Sequence, residues 1–600
     1  MDNNHRGFHI FKLILVGLLV MILAGAVISE GKEKYFPLSK IKPGLSGYGY
    51  TVFQGLKIEK FFVKVLAVTE NEKQPGRLIL VRLSGNALEQ NGGLSAGMSG
   101  SPVYIGGKLA GAVSYGFENA DPYLAMVTPI EDMLKLMDDG ESAKGEDATG
   151  HDISPSMGTP VLVSGMGPRG YEMVRRSLES YGLQAMAAPS LNYPNLNLKK
   201  VALEPGSAIG AQMVMGDYQM AAIGTVTMID SQTGSFLAFG HPFSNRGTVD
   251  YLAVAYYIFQ TVKSPVMSFK MGAPIKTVGR VIQDRQTGIV GRLGETPNLI
   301  EVAVNVQDQE RRLERNSSFQ VITDEQLYRD LVIAGVTDAV DQTINRLGTG
   351  TATVGLRVNL GAPLGGTSPS SGAQGATLSV GPVISRENLF FGKDIAADCV
   401  GDLQSLLDIL AFNEYSTVPV RSVELDIKVK PEQVTARILK LSGAPAKVKP
   451  GETITVTVTA HSYRGADFTV PFEVKLPANL EPGKLTLTVR GGSRSGSVEG
   501  DAGQQKRTGA TPDYVSSGKN SLDTLLSDYL NAPKNNEFVL EYQPLIGTRS
   551  PEDSSATLSG GANPISGLKE TETAKPKPVQ LKAGAGYYIL GEAQLTLEVI

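Results

Sequence analysis

Ser99 stands in the stretch Gly-Met-Ser-Gly-Ser-Pro at residues 97–102. A serine acts as a nucleophile when a base takes its proton, donors stabilise the oxyanion and substrate has room. The flanking glycines let the chain turn so that the N–H groups of Gly97 and Ser99 point to one place. The stretch therefore predicts Ser99 as a nucleophile, with Gly97 and Ser99 as an oxyanion hole. A purely structural glycine-serine turn is the alternative.

A β-hairpin is predicted directly after this loop, because two strand-like runs flank the turn Gly106-Gly107. The pattern differs from the G-x-S-x-G elbow of α/β-hydrolases, since Ser101 occupies the last glycine position and no helix follows. The loop and hairpin are instead similar to those of trypsin-like enzymes, in which the next strand lines the substrate groove. On that likeness we expect Ser114, Tyr115 and Gly116 to bind extended peptide by main-chain pairing.

His241 is the predicted base, by comparison with the other histidines of the chain. His5 and His9 lie in an apolar amino-terminal segment, His151 lies in a polar linker, and His461 lies in a strand of a separate β region. His241 ends an apolar strand, and a neutral imidazole can accept a serine proton at neutral pH. A structural histidine at a strand end is the alternative.

Both motifs resemble those of the SpoIVB peptidase family, the serine peptidases of bacterial sporulation and their exported relatives. The segment "NGGLSAGMSGSPVYIGGKLAGAV" is similar to the family's nucleophile loop T-G-G-I-x-x-G-M-S-G-S-P with its hairpin, and "FLAFGHPF" fits the family's A-x-G-H motif. The resemblance covers about 60–140 and 200–305. It implies Ser99 as nucleophile, His241 as base and a second hydroxyl at Ser101 with a supporting or structural role.

Two features depart from the family pattern. In the sporulation enzyme the histidine segment precedes the serine loop, whereas here Ser99 precedes His241, which resembles a circular permutation of two β halves. A triad depends on geometry and not on chain order.

The catalytic acid is the second departure. The family's acid lies about fifteen residues before the serine, and the aligned position here is Ser84. Asp250, nine residues after His241, is the predicted replacement, and Asp230 and Glu89 are weaker candidates.

Composition limits the remaining classes of function. The chain has 600 residues and a formal net charge of -4, which gives no electrostatic basis for binding nucleic acid. Cys399 is the single cysteine, so no intrachain disulfide forms. One cysteine and five histidines do not favour a structural zinc site, and we expect neither a metal nor a cofactor.

Residues 1–29 have the pattern of an export signal, with a basic start and an apolar run at 13–28. The segment is either a cleaved signal peptide or a retained anchor, and in the second case residues 13–28 tether the chain to a membrane. We therefore expect a periplasmic, cell-envelope or extracellular protein that acts on protein or peptide substrates, with a cell-envelope partner as a further option.

The short apolar or alternating runs and the many glycines predict a mainly β protein with a few helices. We expect a trypsin-like body of two β-barrel modules, followed by β-sandwich-like domains. The expected boundaries are a serine-bearing module at 33–140, a linker at 141–158, a histidine-bearing module at 159–360, a linker at 361–385, a β-sandwich-like domain at 386–490, a low-complexity linker at 491–520, and a terminal helix and β segment at 521–600.

Two functions fit these observations. The first is an exported serine endopeptidase with a Ser99–His241 pair. The second is a non-catalytic exported binding or scaffold protein that retains a peptidase-like fold, for which the absent family acid is the argument. We further expect residues 380–600 to be dispensable for the folding of residues 33–360.

Overall fold

The structure is a computed structural model that describes residues 34–69, 76–117, 119–138, 160–266, 268–362, 382–493, 521–544 and 578–600. The α-helices are α1 (Asn86–Gln90), α2 (Ile130–Asp138), α3 (Pro168–Ser180), α4 (Tyr328–Ile344), α5 (Ile395–Asp398), α6 (Gly401–Phe412) and α7 (Leu522–Asn531). The strands are β1 (Ser46–Val52), β2 (Ile58–Val68), β3 (Ile79–Ser84), β4 (Ser95–Ala96), β5 (Pro102–Ile105), β6 (Lys108–Tyr115), β7 (Leu124–Pro129), β8 (Val161–Ser164), β9 (Ala185–Ala187), β10 (Ala208–Gly216), β11 (Gln219–Ile229), β12 (Ser235–Ala238), β13 (Gly247–Val262), β14 (Ser268–Arg285), β15 (Gly288–Leu293), β16 (Leu299–Asp308), β17 (Leu313–Ile322), β18 (Gly350–Leu360), β19 (Val383–Gly392), β20 (Val420–Lys430), β21 (Thr435–Ser442), β22 (Lys447–Val448), β23 (Thr453–Ser462), β24 (Asp467–Lys475), β25 (Gly483–Gly491), β26 (Glu537–Tyr542), β27 (Val579–Gly584), β28 (Tyr588–Leu590) and β29 (Glu592–Val599).

The chain forms two compact units, and their boundaries differ from the expected ones. Unit 1 contains the described residues up to Val161 together with Ser190–Gln212 and Ala221–Pro297. Unit 2 contains Leu162–Pro189, Met213–Met220 and the described residues from Asn298 onward. The expected histidine-bearing module at 159–360 is therefore divided between the two units.

Unit 1 begins with a closed barrel whose strands follow the order β1-β2-β3-β7-β6-β5. Its strands alternate buried and exposed residues, as in β3, because successive side chains point to opposite faces. The barrel core includes Phe61, Val81, Met98 and Val113. The serine loop follows α1 and β4 and leads directly into β5, so that Met98 of the loop is part of this core.

A second ring of strands completes unit 1. The order β10-β13-β14-β15-β12-β11 returns to its start, because β10 also pairs with β11. Leu109 and Met133 of the first part of unit 1 share a buried cluster with Leu237 and Val290 of the second ring. Unit 1 thus has the two-barrel organisation of trypsin-like proteins, and the prediction of a mainly β, trypsin-like body is confirmed.

Unit 2 contains a sheet in the order β19-β18-β20-β16-β17, followed by a β-sandwich. The sandwich packs the sheet β24-β23-β21-β28 against the sheet β22-β29-β25-β26-β27 around one apolar core. Strand β23 shows why the sandwich forms, since its exposed or half-buried threonines alternate with buried aliphatic residues. The predicted sandwich exists, but it uses β26–β29 from the carboxy-terminal segment, while β19 and β20 belong to the other sheet.

No helix in the described ranges is long and apolar enough to cross a membrane. The predicted export signal at 1–29 and the linker at 141–158 lie outside the described residues, as do His5, His9 and His151.

Candidate active site

The serine loop is a tight turn that depends on two glycines with positive φ. Gly97 has φ of +96° and Gly100 has φ of +91°, values that side chains with a Cβ rarely adopt. Ser101 Oγ donates a hydrogen bond to the Met98 carbonyl at 2.6 Å, which closes the turn. Ser99 is buried, and its Oγ has no hydrogen-bond partner among the described residues.

Strand β11 lies directly against this loop. The Thr225 N–H donates to the Ser99 carbonyl at 2.7 Å, and the Gly100 N–H donates to the Val113 carbonyl at 2.7 Å. A Cβ on Gly100 would lie 2.0 Å from the Thr225 oxygen and 2.4 Å from the Phe239 nitrogen. Only a glycine therefore permits the main chains of the loop and of β11 and β12 to approach so closely.

His241 follows β12 in a strained turn. Phe239 has φ of +69° and Gly240 has φ of +68°, and positive φ at an aromatic residue costs roughly 1–3 kcal/mol. Thr128 Oγ1 donates to the Gly240 carbonyl at 2.6 Å. The imidazole Nδ1 lies 2.6 Å from the Pro242 carbonyl oxygen. Since a carbonyl oxygen only accepts, Nδ1 carries the proton and Nε2 is the basic nitrogen.

The glycine that follows Ser99 and the glycine that precedes His241 both lie close to one atom, the Val113 carbonyl oxygen. That oxygen accepts the Gly100 N–H, and a Cβ on Gly240 would lie 3.1 Å from it. Gly100 follows Ser99 and Gly240 precedes His241, so the structure brings both predicted residues into one region of unit 1. The Ser99 Oγ–His241 hydrogen bond is not formed, and in enzymes without substrate such bonds are often long.

The surroundings of His241 are apolar. The ring centroids of Tyr115 and His241 are 5.6 Å apart, and those of Phe239 and His241 are 6.1 Å apart. Burial lowers the pKa of His241 to about 4, while the hydrogen bond with Pro242 acts in the opposite direction. The imidazole is thus neutral at pH 7, which is the form that a general base requires.

Asp284 holds the loop that follows His241. Its buried carboxylate accepts hydrogen bonds from the N–H groups of Phe243 at 2.8 Å, Ser244 at 2.5 Å and Asn245 at 3.0 Å. Burial raises the pKa of this carboxyl, and the hydrogen bonds from Ser244 and its neighbours partly counteract that effect. No local motif marks Asp284 in the sequence, because its pairing depends on the register of β13 and β14.

The candidate acids have other partners. Asp250 forms an ion pair with Arg280 at 3.3 Å. Asp230 accepts hydrogen bonds within its own turn, Glu89 is exposed on α1, and Ser84 is exposed at the end of β3. The role of Asp250 as a catalytic acid stays a prediction.

The expected wall of the substrate groove is buried in this structure. Ser114, Tyr115 and Gly116 are all buried, and Ser114 Oγ donates to the Met126 carbonyl at 3.2 Å. The pairing of β5 with β6 ends at the Pro102–Ala112 pair, so residues 114–116 continue beyond β5. Substrate binding by these residues stays a prediction.

Two further residues near the loop were missed. Lys270 is buried on β14, and its side-chain carbons would lie 3.0–3.2 Å from a Cβ on Gly97. Thr225 Oγ1 donates to the Gly97 carbonyl at 2.9 Å. A lysine or a threonine in a strand sequence gives no local sign that it is buried against a distant loop.

A pair of β-barrels that brings a glycine-bounded serine and a neutral histidine into one region is the organisation of the trypsin-like serine peptidases. Residues 37–134 match the SpoIVB peptidase S55 family, so this part of the chain is similar to the SpoIVB-like serine peptidases. The match contains Ser99 and ends before His241. Neither a curated protein nor a solved structure matches the chain. The predicted resemblance and the prediction of a serine peptidase are confirmed.

Proposed function

We propose that the chain is an exported serine endopeptidase that cleaves extended segments of proteins with Ser99 as nucleophile and His241 as base. The observation that supports this proposal most strongly is that Gly100, next to Ser99, and Gly240, next to His241, both lie close to the Val113 carbonyl oxygen. In addition, Ser99 Oγ has no hydrogen-bond partner among the described residues. A buried hydroxyl without a hydrogen bond is costly, which favours a functional reason for its position.

The reaction follows from the tautomer of His241. Ser99 Oγ attacks the scissile carbonyl carbon while its proton passes to His241 Nε2, and the oxyanion is stabilised by the N–H groups of Gly97 and Ser99. The imidazolium then protonates the leaving amine as the C–N bond breaks. Water, deprotonated by the same imidazole, hydrolyses the acyl-enzyme and restores Ser99. The Pro242 carbonyl holds Nδ1–H throughout, the position that a carboxylate occupies in a triad.

The cellular setting of this activity is part of the proposal. The apolar amino-terminal sequence supports export to the periplasm, the cell envelope or the medium, with a membrane tether where the segment is retained. The substrates are proteins or peptides of that compartment, and the sandwich of unit 2 is available for a cell-envelope partner.

A fluorophosphonate probe distinguishes this function from a non-catalytic binding protein. We expect labelling of the purified full chain that disappears in Ser99→Ala and falls at least a thousandfold in rate in His241→Gln. Ser385→Ala, which removes an exposed serine of β19, is the matched control and should be labelled like the natural protein. Absence of labelling from the natural protein would support the binding protein, and labelling that persists in Ser99→Ala would exclude Ser99 as the nucleophile.

A further inference from the structure

Lys270 lies beside the serine loop because β4 pairs in parallel with β14. The paired residues are Ser95 with Ser268 and Ala96 with Phe269, so Gly97 and Lys270 are the next residues along the two strands. The aliphatic stem of Lys270 covers the face of Gly97 on which a Cβ would stand, at 3.0–3.2 Å. Gly97 is one of the two predicted oxyanion donors.

The amine of Lys270 begins a directed chain of hydrogen bonds. Nζ donates to Thr51 Oγ1 at 2.7 Å, and Thr225 Oγ1 donates to the Gly97 carbonyl at 2.9 Å. Thr51 Oγ1 and Thr225 Oγ1 are 3.4 Å apart. Since the single proton of Thr225 is used at Gly97, Thr51 is the donor between the hydroxyls. The chain therefore runs from Lys270 through both threonines to the Gly97 carbonyl.

Placing a lysine at this buried position carries a desolvation cost. Lys270, Thr51 and Thr225 are all buried, and an ammonium group offers three protons where the threonine supplies one acceptor. Burial lowers the pKa of Lys270 to about 7. An apolar side chain of the same length would fill the space without this desolvation cost, so packing alone does not explain the amine.

We propose that Lys270 is a positioning residue of the serine loop, which acts through Thr51 and Thr225 to fix the Gly97 carbonyl. Gly97 with positive φ has freedom to rotate its peptide planes, and fixing its carbonyl restrains the turn from Gly97 to Ser99. The stem restrains the same residue from its other face. This role rests on the proposed function, because the restraint matters for the oxyanion that forms when Ser99 reacts.

The test compares Lys270→Met with the natural full chain in peptide hydrolysis and in fluorophosphonate labelling. Methionine keeps the stem and removes the amine. We expect kcat, and the labelling rate at low probe concentration, to fall about tenfold to a hundredfold with KM changed less than twofold, since the oxyanion is stabilised only in the transition state. The melting temperature should stay equal or rise, because a desolvated amine has been removed. A loss of activity caused by a folding defect would instead come with a lower melting temperature.

A double variant tests the route. Thr225→Val alone should give a loss similar to that of Lys270→Met, and the double variant should lose no more than Thr225→Val, because both act through the Gly97 carbonyl. Lys276→Met is the matched control on β14, since its amine donates to the Val201 carbonyl and its loss should leave kcat unchanged.

The outcomes separate the two proposals. Absence of Ser99 labelling in the natural protein overturns the proposed function and the role of Lys270 with it. Labelling of the natural protein with an unchanged rate in Lys270→Met overturns the positioning role alone. Losses that multiply in the double variant, or that accompany a lower melting temperature, also overturn it.

Discussion

The buried imidazole of His241 links stability to pH. Its pKa of about 4 in the folded chain lies below the usual value near 6.5, so the unfolded chain binds the proton first. The contribution to stability is present above pH 6.5 and is lost as the pH falls toward 4. We expect His241→Gln to remove up to about 3 kcal/mol of this pH dependence, measured from urea unfolding between pH 7 and 4.5.

His461→Gln is the control for that measurement. The His461 ring is exposed on β23, and its Nδ1 lies 2.6 Å from Asp467 Oδ1. Screening by solvent keeps such exposed pairs weak, so this variant should retain the steep dependence of the natural protein. Equal slopes for the natural protein and His241→Gln would contradict the assignment of a buried neutral imidazole.

The role of Asp250 is testable by a single substitution. Loss of a triad acid costs on the order of 10⁴ in rate. If Asp250 acts as the acid predicted from the sequence, Asp250→Asn should lower kcat with a peptide substrate by a thousandfold or more. A loss of less than tenfold would instead show that the Pro242 carbonyl, which lies at Nδ1 of His241, is sufficient to orient the imidazole.

Residues whose signals are local could be predicted, and residues whose partners are distant in sequence could not. The glycines around Ser99 and the strand before His241 are visible within a few residues. Lys270 and Asp284 depend on pairings that join residues 95 and 268, or 243 and 284, and these pairings arise from tertiary structure.

At the scale of elements, the meeting of the serine loop with β11 and β12 depends on Gly100. An alanine there would combine strained φ with main-chain overlap at 2.0 Å. We expect Gly100→Ala to destabilise unit 1 by more than about 3 kcal/mol, measured by urea or thermal unfolding.

Gly106 provides the comparison. It has φ of +56° and no atom within 4 Å of a Cβ, so Gly106→Ala should cost only the left-handed conformation, about 1–2 kcal/mol. Similar losses in both variants would mean that the close approach at Gly100 contributes little.

At the scale of the whole molecule, the mainly β composition and the two barrels of unit 1 were predictable from strand patterns and turns. The domain boundary near 361–385 was not. β18 ends just before this stretch, yet it pairs with β19 and β20, which follow it. A composition rich in glycine and serine marks a spacer, but it does not reveal whether the strands on either side belong to one sheet.

This pairing reverses the expectation that residues 380–600 are dispensable. Removing them deletes both neighbours of β18 and exposes its main-chain N–H and C=O groups together with the edge of β16 that pairs with β20. We expect a chain that ends at residue 379 to be insoluble or aggregated, as measured by expression and size-exclusion chromatography. A soluble, monomeric product would support the earlier boundary.

The complete burial of Ser99, with His241 only 3% exposed, sets a time scale for any reagent that attacks the hydroxyl. A phosphonate reaches Oγ only during intervals when the covering side chains move apart, so its rate of reaction rises with concentration and then levels off at the frequency of these openings. Two phosphonates of different intrinsic reactivity should reach the same limiting rate, because that rate is the opening rate of the protein and does not depend on the reagent. Stopped-flow labelling over a wide concentration range would measure how often the peptidase opens.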